Sequence, residues 1–305
     1  MSTLPAYVLI TPAHNEARFI DRTIQSVVSQ SARPLKWAIV SDGSTDDTEA
    51  VVRRQAHGHD WIELVTLPAR RERHFAGKVE AFNAGYAVVE GLDYEVIGNL
   101  DADVSFEPDY LAFLLGRFGE DPALGVAGTP YVEQNPIHDD RFKSPGHVSG
   151  ACQLFRRACF EEIGGYQPVR SGGIDLIALL AAQAKGWETR RFDEKTCFHH
   201  RSVGSGQDAA VLTRMLNKGR KDYLLGSHPG FEVFRGLYQM KQPPYIVGGA
   251  LMLAGYFFTM MQRVERSMPE ELINLRQRDQ LQRLRTALRH PRWPALSVQR
   301  GSLDR

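Results

Sequence analysis

The first half of the chain alternates between two hydrophobic periods. Short apolar runs rich in β-branched and aromatic residues occupy Ala6–Thr11, Lys36–Asp42, Trp61–Leu67 and Tyr94–Leu100. Polar turn residues bound each run, which marks them as buried strands. Between them, 16–30, 45–56 and 77–91 repeat apolar residues at three- and four-residue spacing, the period of an amphipathic helix. Strands alternating with helices in this way predict an α/β fold, a mostly parallel sheet with helices on both faces. Ligands of such sheets bind beyond the carboxyl ends of the strands. Thr11, Asp42 and the pair Asp101 and Asp103 stand at three of those ends, so three polar termini converge on one crevice.

The pattern continues with a helix over 110–118 and a strand over Leu124–Thr129 that extends the sheet. A polar, irregular stretch, 131–147, predicts a mobile loop. Residues 147–166 read as a strand running into a short helix with a Gly164-Gly165 stop. A further helix begins near Ile174 and is closed by Gly186, and Thr189–Phe192 reads as a strand. From about Ser202 the character changes. Residues 212–226 are basic and amphipathic, Tyr245–Met261 carries no charge, and 263–292 is Arg-rich with Leu281, Leu284 and Leu288 at helical spacing. Two regions are expected, an α/β domain over 1–201 and a helical region over 202–305.

Composition narrows the partners. A net charge of +1 over 305 residues excludes a general nucleic-acid binder. Cys152, Cys159 and Cys197 form no CxxC pair and leave one over from any disulfide count, which suits a reducing compartment. The N-terminus lacks the charged-then-apolar plan of a signal peptide, so a cytoplasmic protein is expected. Tyr245–Met261 sits at the lower edge of a spanning length of about 17–25 residues. A buried core helix is the alternative. Lys218, Arg220 and Lys221 before it, with Arg263 and Arg266 after it, favour a segment lying in or re-entering the cytoplasmic face of an inner membrane.

Asp101 and Asp103 are separated only by Ala102 and repel each other unless something positive lies between them. An ordinary strand-end turn is one reading. The other is a site for a hard divalent cation, Mn²⁺ or Mg²⁺, bound through carboxylate oxygens, which would neutralise a diphosphate leaving group.

Four spaced elements resemble family 2 glycosyltransferases of the GT-A fold, whose α/β domain binds nucleotide sugars. They are Thr11-Pro12-Ala13-His14-Asn15-Glu16, Ser41-Asp42-Gly43-Ser44-Thr45-Asp46, Gly77 to Gly85, and Asp101-Ala102-Asp103. All stand in the expected order, and the resemblance covers roughly Ala6 to Phe198. It implies that Thr11, Pro12, Ala13 and Glu16 form the first nucleotide-contacting loop, although Asn15 would also serve as a helix N-cap there. It implies that Asp42 accepts from the base of a uridine nucleotide, in a segment that is equally a good turn and cap. Ser41 replaces the Asp usual before it. Lys78, beside a glycine at a helix start, would hold phosphate, or is simply a surface lysine. Asp101 and Ala102 would contact the donor, and Asp101 and Asp103 the metal.

Family 2 enzymes typically invert the anomeric centre in one displacement, so a carboxylate must take the acceptor's proton. The resemblance assigns this to Asp175, preceded here by Ile174 rather than Glu. Asp175 would also be a favourable acid in a first helical turn. One of His199 and His200 is expected at the metal or diphosphate, the other being structural, and Arg201 is expected to contact the diphosphate. The Gln-x-x-Arg-Trp motif of processive synthases is absent, which implies transfer of one sugar at a time to a glycan or lipid-linked acceptor of cell-surface polysaccharide synthesis. Two rivals are weaker. A nucleotidyltransferase would carry glycine in its first loop, and 11–19 has none. A non-catalytic binding module would have lost an acid at 101, 103 or 175, and none is lost.

Overall fold

The computed structural model describes residues 4–69, 76–133, 146–169, 171–201 and 208–289. Its first strands and helices follow the alternation: β1 (Tyr7–Ala13), α1 (Ile20–Val28), β2 (Lys36–Asp42), α2 (Thr48–Ala56), β3 (Ile62–Leu67), α3 (Ala76–Val89) and β4 (Val96–Leu100). The four strands are parallel in the order β3-β2-β1-β4. Successive residues of β1 point to opposite faces, and both faces are covered. Tyr7 and Leu9 pack with Trp37, Ile39 and α1, whereas Val8 and Ile10 pack with Val40, Ile97 and Phe82 of α3. Double burial makes these strands continuous apolar runs instead of alternating ones. Gly85 lets α3 lie close on the sheet, since a Cβ there would stand 2.6 Å from Cγ2 of Ile10.

The strand expected over Leu124–Thr129 does extend the sheet, but it does not lie beside β4. Beyond β4 come β5 (Val104–Ser105), α4 (Tyr110–Glu120), β6 (Leu124–Gly128), β7 (Tyr131–Glu133), β8 (Cys152–Arg156), α5 (Arg157–Glu162), α6 (Ile174–Ala184), β9 (Glu188–Arg191) and β10 (Cys197–His199). β8 inserts antiparallel between β4 and β6, giving the order β3-β2-β1-β4-β8-β6-β9. A short second sheet, β5-β10-β7, forms at the carboxyl edge of the first. Residues 131–133 of the expected loop belong to it, and 134–145 lie outside the described residues.

The C-terminal helices are α7 (Asp208–Leu224), α8 (Pro229–Gln239), α9 (Val247–Met261) and α10 (Glu270–Arg289). The uncharged segment is half buried. α7 and α9 meet backbone to backbone: a Cβ on Gly219 would overlap the Met252 carbonyl and lie 2.9 Å from the Tyr256 amide, and one on Gly255 would overlap the Leu216 carbonyl. Gly248, Met252, Gly255, Tyr256 and Thr259 of α9 are buried on this side. Its other face, Val247, Ala250, Ala254, Phe258 and Met261, is exposed and wholly apolar. Among the described residues no helix is long and apolar enough to cross a membrane.

The glycine contacts give a stability test. Gly219→Ala drives a methyl into backbone and is expected to cost about 1–3 kcal/mol. Gly116→Ala, in mid-α4 with nothing within 4 Å of its Cβ, should be neutral or stabilising by up to about 1 kcal/mol. Urea midpoints at unchanged m-value check both, and equal midpoints would contradict the close α7–α9 crossing.

Candidate active site

The ends of β2, β1 and β4, adjacent in the sheet, open into a cleft of about 600 Å³. Its walls come from the end of β1 and the loop after it (Pro12 to Glu16), the end of β2 and the loop after it (Asp42 to Thr45), the start of α3 (Gly77, Lys78), the turn after β4 (Asp101 to Asp103) and Arg201. The first two loops are stitched together. His14 meets the Asp42 carbonyl at 2.6 Å, the Thr45 amide donates to Asn15 Oδ1 at 2.8 Å, and the Glu16 and Ala17 amides donate to Thr48 Oγ1 and Asp46 Oδ2. Asn15 thus adopts a left-handed φ of 54° and caps the neighbouring loop rather than α1, which starts later, at Ile20. Gly43 is needed where it stands: φ is +61°, and a Cβ would come 2.5 Å from Cα of Ala69.

Thr11 does not reach the cleft. It is fully buried, and its hydroxyl accepts from the Trp37 indole at 2.9 Å, because the alternation along β1 turns it into the core. Pro12, Ala13, Glu16 and Asp42 do line the cleft, as do Lys78, Asp101, Ala102 and Arg201. The Ala102 carbonyl accepts from Thr23 Oγ1 at 2.9 Å, which pins the β4 turn to α1.

The acidic pair is held by three cationic or protonatable groups. Lys78 Nζ donates to Asp101 Oδ1 at 2.5 Å. Arg201 Nε donates to Asp103 Oδ2 at 3.0 Å while its Nη2 grips Glu16. His199 Nε2 lies 3.4 Å from Asp103 Oδ1. Burial works to raise the Asp103 carboxyl, but the His199 and Arg201 contacts outweigh it and hold it below the usual carboxylate range. The Asp103 hydrogen bond raises His199 against burial. Burial opposes the Lys78 ammonium, yet Asp101, with Asp175 and Asp103 behind it, raises its pKa. Ligand atoms of Asp101, Asp103 and His199 all lie within 4.8 Å of one another. Two carboxylate oxygens and an imidazole nitrogen so placed fit a Mn²⁺- or Mg²⁺-sized ion. Of the two histidines, His199 faces the pair. The ring of His200 turns the other way, with Nε2 at 2.8 Å from Ser105 Oγ and Nδ1 accepting from Arg22.

A second chamber, of about 280 Å³, meets the cleft at Lys78 and Asp101. Asp175 lines it from the first turn of α6. That turn is fixed on two sides. Gly173 precedes it at φ +89°, where a Cβ would strike Leu225 at 2.7 Å, and Gly150 faces it, where a Cβ would lie 2.9 Å from that of Asp175.

Tyr131, Glu133 and Lys221 are among the chamber residues that sequence reasoning did not place in the site. Glu133 on β7 pairs in register with His199 on β10, and its Oε1 lies 3.5 Å from His199 Nδ1, which places a carboxylate behind the ring presented to Asp103. Strands of two or three residues leave no periodic signal. Lys221, expected as a cation flanking a membrane segment, also lines the chamber from α7. A lone basic residue on an amphipathic helix gives no hint of this.

A cleft at the carboxyl ends of the strands on a mixed sheet of this order defines an α/β protein of the GT-A type. Residues 8–146 match the profile of Glycosyl transferase family 2, the family that the four spaced elements resemble. It is 30% identical over 210 residues to a poly-beta-1,6-N-acetyl-D-glucosamine synthase of Staphylococcus epidermidis, covering 62% of this chain and 47% of that protein. It is 29% identical over 133 residues to a chondroitin synthase of Pasteurella multocida, covering 44% of this chain and 13% of that one. The chain thus spans less than half the length of these relatives. In fold it is similar to a mannosyltransferase of Pyrobaculum calidifontis solved with GDP-Man and Mn²⁺, at a TM-score of 0.56 and 20% identity over 95% of this chain and 82% of that one. It is also similar to S. aureus TarS 1-349 solved with UDP-GlcNAc, at 0.53 and 12% identity over 94% and 91%.

Glu16 gives the site a pH signature. Burial, with Asp103 nearby, raises its carboxyl to about 7 against the pull of Arg201. A carboxyl whose folded pKa exceeds its unfolded value of about 4.3 contributes stability at low pH that is lost as pH rises through the folded value. The stability of the wild type relative to Glu16→Gln should therefore fall between about pH 5 and about pH 8. Urea unfolding at the two values measures it, and a constant difference would refute the raised pKa.

Proposed function

We propose that this chain transfers one sugar from a nucleotide-diphosphate donor, UDP-linked, to a glycan or lipid-linked acceptor of cell-surface polysaccharide synthesis, with inversion at the anomeric carbon. The observation that carries this reading is the meeting of two compartments at one acidic site. The larger, bounded by Asp42 and the two stitched loops, suits a nucleoside diphosphate. The smaller holds Asp175 on its wall.

In this reading the nucleotide lies along Pro12, Ala13, Glu16 and Asp42, and its diphosphate reaches Lys78, Arg201 and the acidic pair. Asp101, Asp103 and His199 would hold Mn²⁺ or Mg²⁺, which when bound stabilises the negative charge gathering on the departing nucleoside diphosphate. Asp175 takes the proton of the acceptor hydroxyl as its oxygen bonds to the anomeric carbon. The bond to the nucleoside diphosphate breaks on the opposite face and its electron pair leaves with that diphosphate. Holding both reactants in adjoining compartments supplies much of the acceleration, since it replaces a bimolecular encounter with a positioned one. Glu133 orients His199, and Lys221 faces the acceptor.

The acceptor and location rest on two supports. The S. epidermidis and P. multocida relatives are named as polysaccharide synthases. The exposed face of α9 is apolar from Val247 to Met261, with Arg263 following, as expected of a helix lying in the cytoplasmic face of a membrane.

Three outcomes test this reading. Asp103→Ala should abolish Mn²⁺-dependent sugar transfer or donor hydrolysis while leaving the circular dichroism spectrum unchanged; full metal-dependent activity would dismiss the metal site. Asp175→Asn should keep UDP-induced, Mn²⁺-dependent thermal stabilisation yet lose about 10²–10⁴ in transfer rate. Stabilisation by nucleoside triphosphates alone would instead favour a nucleotidyltransferase. Phe258→Glu with Met261→Glu should release the protein from vesicles containing anionic lipid without changing UDP binding, and unaltered co-sedimentation would remove α9 from the membrane.

A further inference from the structure

β4 carries one polar side chain among apolar neighbours. Asn99 stands opposite Ile10 of β1 and Gln153 of β8, and is 3% exposed. Asparagine is uncommon in strands, and a buried amide must find partners at both ends to offset its lost water. This one finds a partner at one end. Nδ2 donates to the Gly150 carbonyl at 2.8 Å, and a carbonyl can only accept, so the amide cannot be turned the other way round. Oδ1 is buried and has no hydrogen-bond partner among the described residues. An unanswered buried acceptor costs free energy, and native folds leave few of them.

The nearest polar side chains are turned to other partners. Gln153, across the strand pair and fully buried, accepts from the Tyr166 hydroxyl at 2.8 Å and donates to the Asp175 carbonyl at 3.4 Å. Lys78 is drawn to Asp101. Asn99 nevertheless lines the chamber that holds Asp175. Gly150, which its Nδ2 holds, is the residue packed against the Asp175 side chain. The acceptor without a donor therefore belongs to the wall of a chamber open to ligand, one hydrogen bond from the backbone beside Asp175.

We propose that Asn99 is a specificity-determining residue, whose Oδ1 accepts from one hydroxyl of a sugar ring bound in this chamber. The proposal rests on the transfer reaction proposed above and deepens it, since it names the residue that tells apart sugars differing at a single carbon. A carbonyl oxygen is satisfied only by a group that brings a proton. A hydroxyl is therefore taken, and a substituent of similar size that cannot donate is refused. The ring is that of the donor or that of the acceptor, and the chemistry recognised is the same.

Free glucose, galactose, mannose and N-acetylglucosamine, titrated by ligand-observed NMR in the presence of a metal chelator, are the probes. The wild type is expected to bind at least one of them. Its deoxyfluoro analogues then replace one hydroxyl at a time by fluorine, which cannot donate. One analogue is expected to bind the wild type about three- to tenfold more weakly than the parent sugar. Asn99→Leu should erase that difference, whereas Asn99→Asp, which keeps an accepting oxygen, should retain it. Asn99→Ala serves if the leucine variant does not fold. An asparagine that only supports the fold would, on substitution, weaken the parent and every analogue alike. That result, or a wild type that binds no sugar or treats all analogues equally, would overturn the proposal. Competition in Mg²⁺ then separates the two rings. Displacement of the sugar by its UDP derivative but not by UDP places the donor ring at Asn99, and retention against both places the acceptor ring there. Failure of UDP to bind would count against the donor reading alone, because the sugar titration uses no nucleotide.

Discussion

Two carboxylates one residue apart at the end of a buried strand set the terms for everything around them. Asp101 and Asp103 cannot both stay ionised in a half-buried crevice without positive charge, and the fold brings it from three directions. Lys78 arrives from the start of α3, His199 from β10, and Arg201 from the segment just beyond it. These elements are far apart in sequence, and the acidic pair is where they meet. The same attraction that holds the fold together there is the one a cation and a diphosphate would exploit. Ligands entering such a site exchange one set of ion pairs for another instead of desolvating bare charge, which keeps the cost of entry low.

The surrounding scaffold restricts movement at this meeting point. The loops after β1 and β2 cap each other through Asn15, Asp46 and Thr48, so this wall of the cleft is ordered before any ligand arrives. Thr23 anchors the turn that carries the acidic pair. Order established in advance lowers the entropic cost of binding.

Much of this was legible along the chain, for identifiable reasons. β1, β2 and β4 are buried on both faces, and their apolar runs end abruptly in polar residues, so the crevice and Asp42, Asp101 and Asp103 could be placed from pattern alone. What failed was whatever depends on direction or on pairing across long separations. Thr11 looked like part of the loop, but a one-residue step along a strand turns a side chain to the other face, here onto Trp37. The choice between His199 and His200 needed the register of β10 against β5 and β7, strands too short to show a period. The antiparallel insertion of β8 is invisible because a fully buried strand reads the same in either orientation. Lys221 and Glu133 carry no local signature. Their place is set by how α7 and β7 dock.

The turn that presents Asp175 is wedged between two side-chain-free positions, Gly150 in front and Gly173 behind, with Leu225 at the end of α7 filling the space next to Gly173. Neither side leaves room for slack. The carboxylate therefore takes part of its position from Leu225, just past a helix that belongs to the far end of the chain. A polypeptide severed ahead of α7 would keep Glu16, Asp42, Asp101, Asp103 and Asp175 and still lose the anvil against which the last of them is aimed.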